Sequence, residues 1–521
     1  MKPISILNDV LGPVMRGPSS SHTAGPFFIG TLARALLGDE PSEVTFAFDP
    51  SGSFAEVYRQ QSSDRGFATG VMGWSLTDER FPQVLDQAAA QGLQVAFVVE
   101  RLPGADHPNT VEIRMRSQGG RRLRAVAQSI GGGAVVFTQV EGWPVRLTGD
   151  AHEVLVELEP HAEPGARELL LQDGEAMGGP ARQAQDDRVL LHVRRRSALQ
   201  ASVRAELEAL PGVCRVWTAP PVFFVQRGAP LFSTAAGMVA LAEERGCSLG
   251  QIALAYEAAL LGLPESEILG EMIRRFDVMR AAVHRGLEED PPPMQLLRPS
   301  AGKVYRAEAE GRVAIGGLHT RAAARAMAVM HVNGGGGVVC AAPTAGSAGV
   351  IPGVAVTLAE ERTLSPEQVA LALLAGSAVG LIVRVRATFA AEVAGCQVEI
   401  GASGAMAAAA VVEAAGGGAR QAAEAAAIAF QNTMGSICDP VQGIVEIPCH
   451  TRNAVAASAA FVCADLILGG YVNPVPLDET IDAVYAVGQM LPRELKCTAL
   501  GGLSLAPAAL AMPRQREAAS Q

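Results

Sequence analysis

Residues 369–383 read VALALLAGSAVGLIV, the longest apolar stretch of the chain. Fifteen residues are too few for a membrane-spanning helix, which needs about 20, and this stretch also contains glycine and serine. We therefore predict a helix buried inside the protein and no association with a membrane. Alanine-rich runs at 405–410 and 456–460 allow helices to pack closely around it. Residues 227–515 are accordingly predicted to form an all-α domain.

A chain of 521 residues is predicted to form two to four domains. Strand-like segments at 43–48, 93–99 and 111–116 indicate an α+β domain over residues 1–145. Residues 146–226 contain predicted strands at 154–158, 189–193, 214–217 and 222–225 and a predicted helix at 197–210. That order resembles a small regulatory α/β domain of the ACT type, although a spacer domain without a ligand fits the same pattern.

Composition narrows the class of protein. With 49% hydrophobic and 18% charged residues the chain is globular. A net charge of -11 gives a nucleic-acid partner no electrostatic support. No signal sequence is visible in residues 1–13, and eight cysteines in a chain of this size indicate reduced thiols. We therefore expect a cytoplasmic protein in which some cysteines serve a metal or redox role.

Three cysteines, Cys396, Cys438 and Cys449, each stand beside glycine, proline or an Asp-Pro pair, as expected for turns or helix ends. Three cysteine ligands without an obvious fourth leave a metal position open for a substrate, as Lewis-acid catalysis requires. Buried thiols that pack as small hydrophobic groups explain the spacing equally well. Cys497 is a candidate fourth ligand or gate, and Cys340 is a candidate for packing near the site.

A second feature is the loop at residues 17–26, which reads GPSSSHTAGP. Proline and glycine at both ends restrict the loop, and four hydroxyls and an imidazole lie between them. Such a loop offers several donors to a carboxylate, and the helix predicted to follow adds its N-terminal dipole. A solvated helix-capping loop is the alternative, but the unbroken run from Ser19 to Thr23 exceeds what capping needs.

Together these segments resemble the iron–sulfur-dependent L-serine dehydratases. The loop at 17–25 matches that family's GPSSSHTAG signature, and the cysteine segments match its three cluster cysteines in order and spacing. The further matches are PTAGSAGVIPG at 343–353, AGCQ at 394–397, CDPV at 438–441, VEIPC at 445–449, RN at 452–453 and GGL at 501–503. In some relatives the β-type and α-type parts are separate subunits, whereas here they are fused.

The resemblance implies a 4Fe-4S cluster on Cys396, Cys438 and Cys449, with an open iron that activates the β-hydroxyl of L-serine. A base removes the α-proton, and loss of water gives aminoacrylate, which hydrolyses to pyruvate and ammonia. His107 and His22 are the predicted catalytic residues, and a homodimer is the expected assembly. The predicted substrate-binding residues are Ser19, Ser20, Ser21, His22, Thr23, Asn109 and Thr344.

The sequence departs from the family at one position. The family has a Gly-His-Gly-Thr-Asp turn whose histidine is a candidate catalytic group, and here Gln61 stands in its place. Glutamine cannot act as a base near neutral pH. His107, in a His-Pro-Asn segment that the family shares, is the best remaining histidine of the first domain, unless it only caps a turn.

Three other functions remain open at this stage. Gln61 makes a lyase for another β-substituted amino acid, such as threonine or cysteine, a near alternative. A non-catalytic amino-acid sensor and a structural zinc protein are the others. A pyridoxal-phosphate enzyme is disfavoured, because it needs a Schiff-base lysine beside a phosphate cradle and the only lysines are Lys2, Lys303 and Lys496.

Overall fold

The computed structural model describes residues 3–515, so Lys2 lies outside the described residues. The first part of the chain folds around a six-stranded mixed sheet of order β3-β2-β4-β5-β6-β7, in which only β2 and β3 run parallel. Its elements are α1 (Ile6–Asp9), β1 (Val14–Arg16), α2 (Gly25–Leu37), β2 (Pro41–Phe48), α3 (Ser53–Val57), α4 (Ser63–Val71), α5 (Val84–Ala90), β3 (Gln94–Val99), β4 (Thr110–Ser117), β5 (Arg122–Ser129), β6 (Val135–Val140) and β7 (Trp143–Leu147).

Aromatic side chains fill the space between this sheet and its helices. Phe46 and Phe48 of β2 contact Phe67 of α4, with ring centroids 4.3 and 5.9 Å away. Helices α2 and α4 cross closely, because a Cβ on Gly30 would lie 2.5 Å from the Phe67 carbonyl oxygen. This packing holds α2, and the loop that precedes it, against the sheet. The α/β character predicted for this part of the chain is confirmed.

A second unit follows, in which four strands form a sheet and two helices connect them. Its elements are β8 (His152–Leu158), α6 (Glu163–Leu171), β9 (Ala181–Gln185), β10 (Arg188–Arg195), α7 (Ala201–Ala209) and β11 (Val213–Ala219). Its order is β11-β8-β10-β9 and every neighbouring pair is antiparallel, which is the βαββαβ topology of ferredoxin-like units. The strand predicted at 222–225 was wrong. The prolines at 220 and 221 lack N–H groups, and Val222 and Phe223 both donate to the Gly149 carbonyl instead of joining a ladder.

The remainder is helical, as predicted. Its elements are α8 (Ala235–Arg245), α9 (Leu249–Leu261), α10 (Glu265–Leu287), α11 (Ala301–Ala309), α12 (Leu318–Gly334), β12 (Val338–Cys340), α13 (Val350–Glu361), α14 (Pro366–Arg386), α15 (Ala391–Ala394), α16 (Ile400–Ala414), α17 (Ala419–Thr433), α18 (Cys449–Leu468), α19 (Leu477–Met490) and α20 (Pro507–Leu510). The apolar stretch is α14, in which every residue from Ala372 to Val383 is buried. By length and composition alone α14 and α18 are apolar enough to span a membrane, but 78% and 50% of their apolar windows lie inside the protein.

The N-terminal segment docks the first sheet onto these helices. Strand β1 pairs antiparallel with β12 across more than 320 positions of the chain, Val14 opposite Cys340. Glu257 of α9 accepts hydrogen bonds from the Ser5 hydroxyl and from the backbone N–H groups of Ile6 and Leu7, and so caps α1. The loop at 17–26 is thereby placed between the two regions.

Candidate functional site

Each of the three predicted metal ligands is less than 8% exposed. Cys396 and Cys449 lie at a turn and a helix start, as predicted, but Cys438 does not. Cys396 begins a 3₁₀ turn (Cys396–Val398) after Gly395, whose φ is +78° and whose Cβ, if present, would lie 2.7 Å from the Ser436 carbonyl oxygen. Only glycine fits there without strain. Cys438 lies in an extended segment, and Cys449 is the first residue of α18.

Two of the cysteines converge with a carboxylate that the sequence analysis missed. The Sγ atoms of Cys396 and Cys438 and a carboxylate oxygen of Glu399 lie within 4.8 Å of one another, whereas Cys449 is outside that group. Glu399 follows Cys396 by three positions, so one turn of chain places both side chains together. Burial raises the pKa of Glu399 well above its usual range, and the nearby Cys396 adds to the effect.

Arg452 supplies positive charge to this group of thiols. It lies one helical turn after Cys449 and donates to the Cys396 Sγ (3.7 Å) and to the Ile437 carbonyl (2.9 Å), and it pairs with Asp439 at 2.9 Å. A hydrogen bond from Cys438 lowers the pKa of Cys396, and Arg452 acts in the same direction. The site therefore favours a thiolate at Cys396, the form in which cysteine binds a metal.

The two remaining candidate cysteines separate clearly. The Cys497 thiol contacts that of Cys438, its backbone N–H donates to the Cys438 carbonyl at 2.9 Å, and its φ is +60°. Cys340 lies in β12 away from the group, and burial raises its pKa to about 11. Cys340 therefore packs as a small hydrophobic residue, while Cys497 adjoins the predicted metal ligands.

The serine–histidine loop is buried, so the alternative of a solvated loop was wrong. Ser20, Ser21, His22 and Thr23 are each no more than 6% exposed. Ser19 does act as a cap: its side chain accepts the His22 N–H at the start of a π-helical turn (Ser20–Ala24) that runs directly into α2. The loop therefore both begins the helix and presents hydroxyls to the interior.

Hydrogen bonds connect the loop to both regions of the protein. The Ser20 hydroxyl accepts from the Ala345 N–H at 3.4 Å, and the Thr23 hydroxyl donates to the Gln61 carbonyl at 2.8 Å. Ser129 donates to the Ser21 carbonyl at 2.8 Å. The predicted substrate-binding loop at 17–26 is thus hydrogen-bonded to the 343–349 loop of the helical region.

Thr344 occupies a tight turn inside that loop. Its hydroxyl lies 3.1 Å from the Ser347 hydroxyl, and it also bonds Glu399. Asn453 of α18 fixes the turn by accepting the Gly349 N–H (3.0 Å) and donating to the Gly346 carbonyl (2.9 Å). Because α18 starts at Cys449, the same helix positions a predicted metal ligand and a predicted substrate-binding loop.

The two candidate catalytic histidines are neighbours. His22 Nε2 lies 2.9 Å from the Ser53 hydroxyl, and the Ser53 N–H donates to the carbonyl of Pro108, next to His107. Burial lowers the pKa of His22 to about 3, and His107 adds to that. Burial also lowers the pKa of His107. The Asn109 N–H donates to His107 Nδ1 at 3.1 Å, so the neutral ring carries its proton on Nε2.

Gln61, the departure from the family pattern, has a structural contact. Its side chain is 1% exposed, and its Nε2 donates to the Gly443 carbonyl at 3.2 Å. Gly443 belongs to the turn between Cys438 and Cys449. The amide therefore ties the first region to the segment that carries two of the three cysteines.

A cleft of about 310 Å³ opens beside these groups. It is lined by His107, Ser53, Glu392, Arg493 and Lys496, among others. Glu392, also missed from the sequence, lies in α15 and accepts a hydrogen bond from the Asn109 side chain at 2.8 Å. The cleft thus adjoins the histidines on one side and the 496–498 segment beside the cysteines on the other.

Comparisons with known proteins agree with this arrangement. Residues 243–504 match the family model described as serine dehydratase alpha chain. The probable L-serine dehydratase alpha chain of Bacillus subtilis is 36% identical over 277 residues, which are 53% of this chain and 92% of that protein. The L-serine dehydratase alpha chain of Peptoniphilus asaccharolyticus is 34% identical over 275 residues, 53% of this chain and 94% of that one.

The first part of the chain has its own counterpart. The probable L-serine dehydratase beta chain of Bacillus subtilis is 40% identical over 148 residues, covering 28% of this chain and 66% of that protein. Alpha-type and beta-type sequences are therefore joined in one polypeptide. The chain belongs to the L-serine dehydratase family, with both its alpha and its beta part.

Proposed function

We propose that this protein is an L-serine dehydratase that converts L-serine to pyruvate and ammonia with a 4Fe-4S cluster on Cys396, Cys438 and Cys449. The observation that carries the proposal is the docking of the serine–histidine loop onto the cysteine-bearing helical region, through Ser20 and Ala345. Substrate-holding and metal-holding groups must meet in this way for a metal to act on a bound hydroxyl.

The donor set fits a cluster better than a single ion. A zinc ion at about 2.3 Å from each sulfur needs its ligands within a few ångströms of one another. Cys396, Cys438 and Glu399 meet that condition, but Cys449 lies outside their 4.8 Å group. An iron–sulfur cluster is larger than a single ion, so it can bind Cys396, Cys438 and Cys449 together. When bound, the cluster supplies a Lewis-acidic iron that makes the β-hydroxyl a better leaving group.

The residues of the chain position the substrate and move its proton. In this proposal the loop from Ser19 to Thr23, together with Thr344, holds the substrate carboxylate. We assign acceptance of the α-proton to His22, because among residues 3–515 its ring nitrogens bond only the hydroxyls of Ser19 and Ser53, which donate or accept. Nδ1 of His107 is already occupied by a backbone donor, so His107 donates a hydrogen bond from Nε2.

One experiment tests the function directly. Anaerobically purified protein should contain iron and sulfide and should form pyruvate from L-serine. Turnover of threonine or cysteine but not serine would favour another lyase, and amino-acid binding without turnover by the loaded protein would favour a sensor. Zinc without iron or sulfide would overturn the cluster assignment.

Several broader features belong to the same proposal. We take 1–145, 146–226 and 227–515 as the domains, and the βαββαβ unit in the middle as an ACT-like regulatory domain. A homodimer is supported by the exposed apolar side chains of Val455, Val462 and Leu466 along α18. A cytoplasmic location is supported by the need to keep the cluster thiols reduced.

A further inference from the structure

Glu392 is a buried carboxylate shared between the two halves of the protein. It is 8% exposed, lies in α15 of the helical region and faces the cleft beside His107 and Ser53. Its two side-chain hydrogen bonds come from the first region: the Asn109 amide donates to it at 2.8 Å, and the Ser21 hydroxyl bonds it as well. Arg493 and Lys496 line the same cleft, but within residues 3–515 no cation lies within ion-pair distance of this carboxylate, although buried acidic groups are normally paired.

The orientation of Asn109 adds a second acceptor. The Asn109 group that faces Glu392 is its NH₂, which donates to the carboxylate at 2.8 Å. The amide oxygen is then the free end of the side chain. It is fully buried and has no hydrogen-bond partner among the described residues. A buried acceptor left unsatisfied is costly and rare in folded proteins.

Among the described residues, a carboxylate without an ion-pair partner therefore lines the cleft, and the Asn109 side chain that is hydrogen-bonded to it carries a fully buried neutral acceptor without a donor. The ligand group that satisfies both is a cation with several N–H donors. We infer that Glu392 and the Asn109 side-chain oxygen bind the α-ammonium of the amino-acid substrate. This inference rests on the proposed function and extends it: it explains why a free amino group is required, and it makes recognition depend on residues from both regions.

The test compares a ligand that has the ammonium with one that lacks it. The affinity of L-serine is measured as the KM of its turnover by the anaerobic holoenzyme. That of 3-hydroxypropanoate, which has the same carboxylate and hydroxyl but no amino group, is measured as its inhibition constant against that turnover. In the wild-type protein L-serine should bind at least about tenfold more tightly, since hydrogen bonds to charged groups are worth about 1.5–3 kcal/mol and 1.4 kcal/mol is about tenfold. Equal affinities would overturn the inference, and this comparison needs no variant.

Glu392→Gln then tests the residue. It keeps the shape and an acceptor for Asn109 but removes the carboxylate, so the KM for L-serine should rise about tenfold or more while the inhibition constant of 3-hydroxypropanoate changes by less than about twofold. Glu413→Gln, at a half-buried glutamate that bonds Ser248 and the Gly250 N–H, should alter neither value. An equal loss of both ligands in Glu392→Gln would indicate a purely structural role and refute the inference.

Failure of the inference is distinguishable from failure of the proposed function. If wild-type protein with full iron and sulfide turns over L-serine but Glu392→Gln binds it unchanged, the inference is wrong and the function stands. If the loaded wild-type protein neither binds nor turns over L-serine, both are wrong. Iron content measured for each variant shows that the comparison concerns substrate binding and not cluster loss.

Discussion

Replacing Gln61 with leucine separates a structural from a chemical role at the position where the family has a histidine. The change removes the side-chain donor to the Gly443 carbonyl. That oxygen then loses this hydrogen bond at a buried position, since Gln61 is only 1% exposed. Loss of one partner of a buried hydrogen bond costs about 1–3 kcal/mol. For a cooperative unit of 150–250 residues each kcal/mol lowers the Tm by about 2–4 °C, so a fall of several degrees is expected.

The turnover number of Gln61→Leu should fall much less than it would on loss of a catalytic acid or base, because we assign no proton transfer to Gln61. General acid–base groups contribute about 10²–10⁴-fold to a rate, and we expect kcat of Gln61→Leu to stay within about tenfold of wild type. Thermal denaturation and pyruvate formation, each measured anaerobically, give the two values. Gln431→Leu in α17, which removes the donor to the Asn473 side chain from an exposed glutamine, is the control and should leave the Tm nearly unchanged. A loss of about 100-fold in kcat with an unchanged Tm would refute the structural role.

Three further outcomes are expected. Cys438→Ser should abolish both the iron–sulfur absorbance and turnover, and retention of full iron content would contradict its role as a ligand. Gly17→Ala should weaken serine binding at constant iron content, because a Cβ there would overlap the Asn333 carbonyl and displace the loop; unchanged affinity would speak against the loop as a binding site. Burial raises the pKa of Glu257 from 4.5 to about 7, so its carboxyl ionises at a lower pH in the unfolded chain than in the folded protein. The free energy of unfolding therefore falls as the pH rises between these two pKa values. The fall is about 3 kcal/mol, since each pKa unit is worth about 1.4 kcal/mol. Between about pH 5 and about pH 8 the Tm of Glu257→Gln should therefore fall less than that of wild type, and equal slopes would exclude Glu257 as the cause.

Elements defined by local pattern were predictable from the sequence. The 369–383 stretch indicated α14 because a long apolar run with small residues has few other outcomes in a globular chain. The strand at 43–48 is part of β2 (Pro41–Phe48), with apolar residues directed at the core. The segment at 222–225 failed because β-branched and aromatic residues indicate a strand only where backbone N–H groups find a neighbouring strand. Its N–H groups instead meet a single carbonyl, a fact of tertiary structure.

The candidate site divides in the same way. The cysteines and the serine–histidine loop carry chemistry in recognisable local order, so they were identifiable. Glu392 and Glu399 were not, since an isolated acidic residue carries no sign of its partners. Glu392 meets Asn109 across 283 positions of the chain, and only the docking of the two regions brings them together. The role of Gln61 was hidden for the same reason, because its partner Gly443 lies in the other region.

The two-stranded ribbon of β1 and β12 bears on whether such a protein needs to be encoded by one gene or can be encoded by two. The contacts that join the alpha-type and beta-type parts include those of α1, β1, the loop at 17–26, Gln61 and Asn109, and none of these is made by the peptide that runs from β11 to α8. In the fused chain that peptide acts as a tether, which replaces a bimolecular association with a high local concentration of one part beside the other. Bacillus subtilis has separate alpha and beta chains similar to the two parts. Splitting or joining the gene therefore changes the concentration dependence of assembly and leaves the contacts at the seam intact.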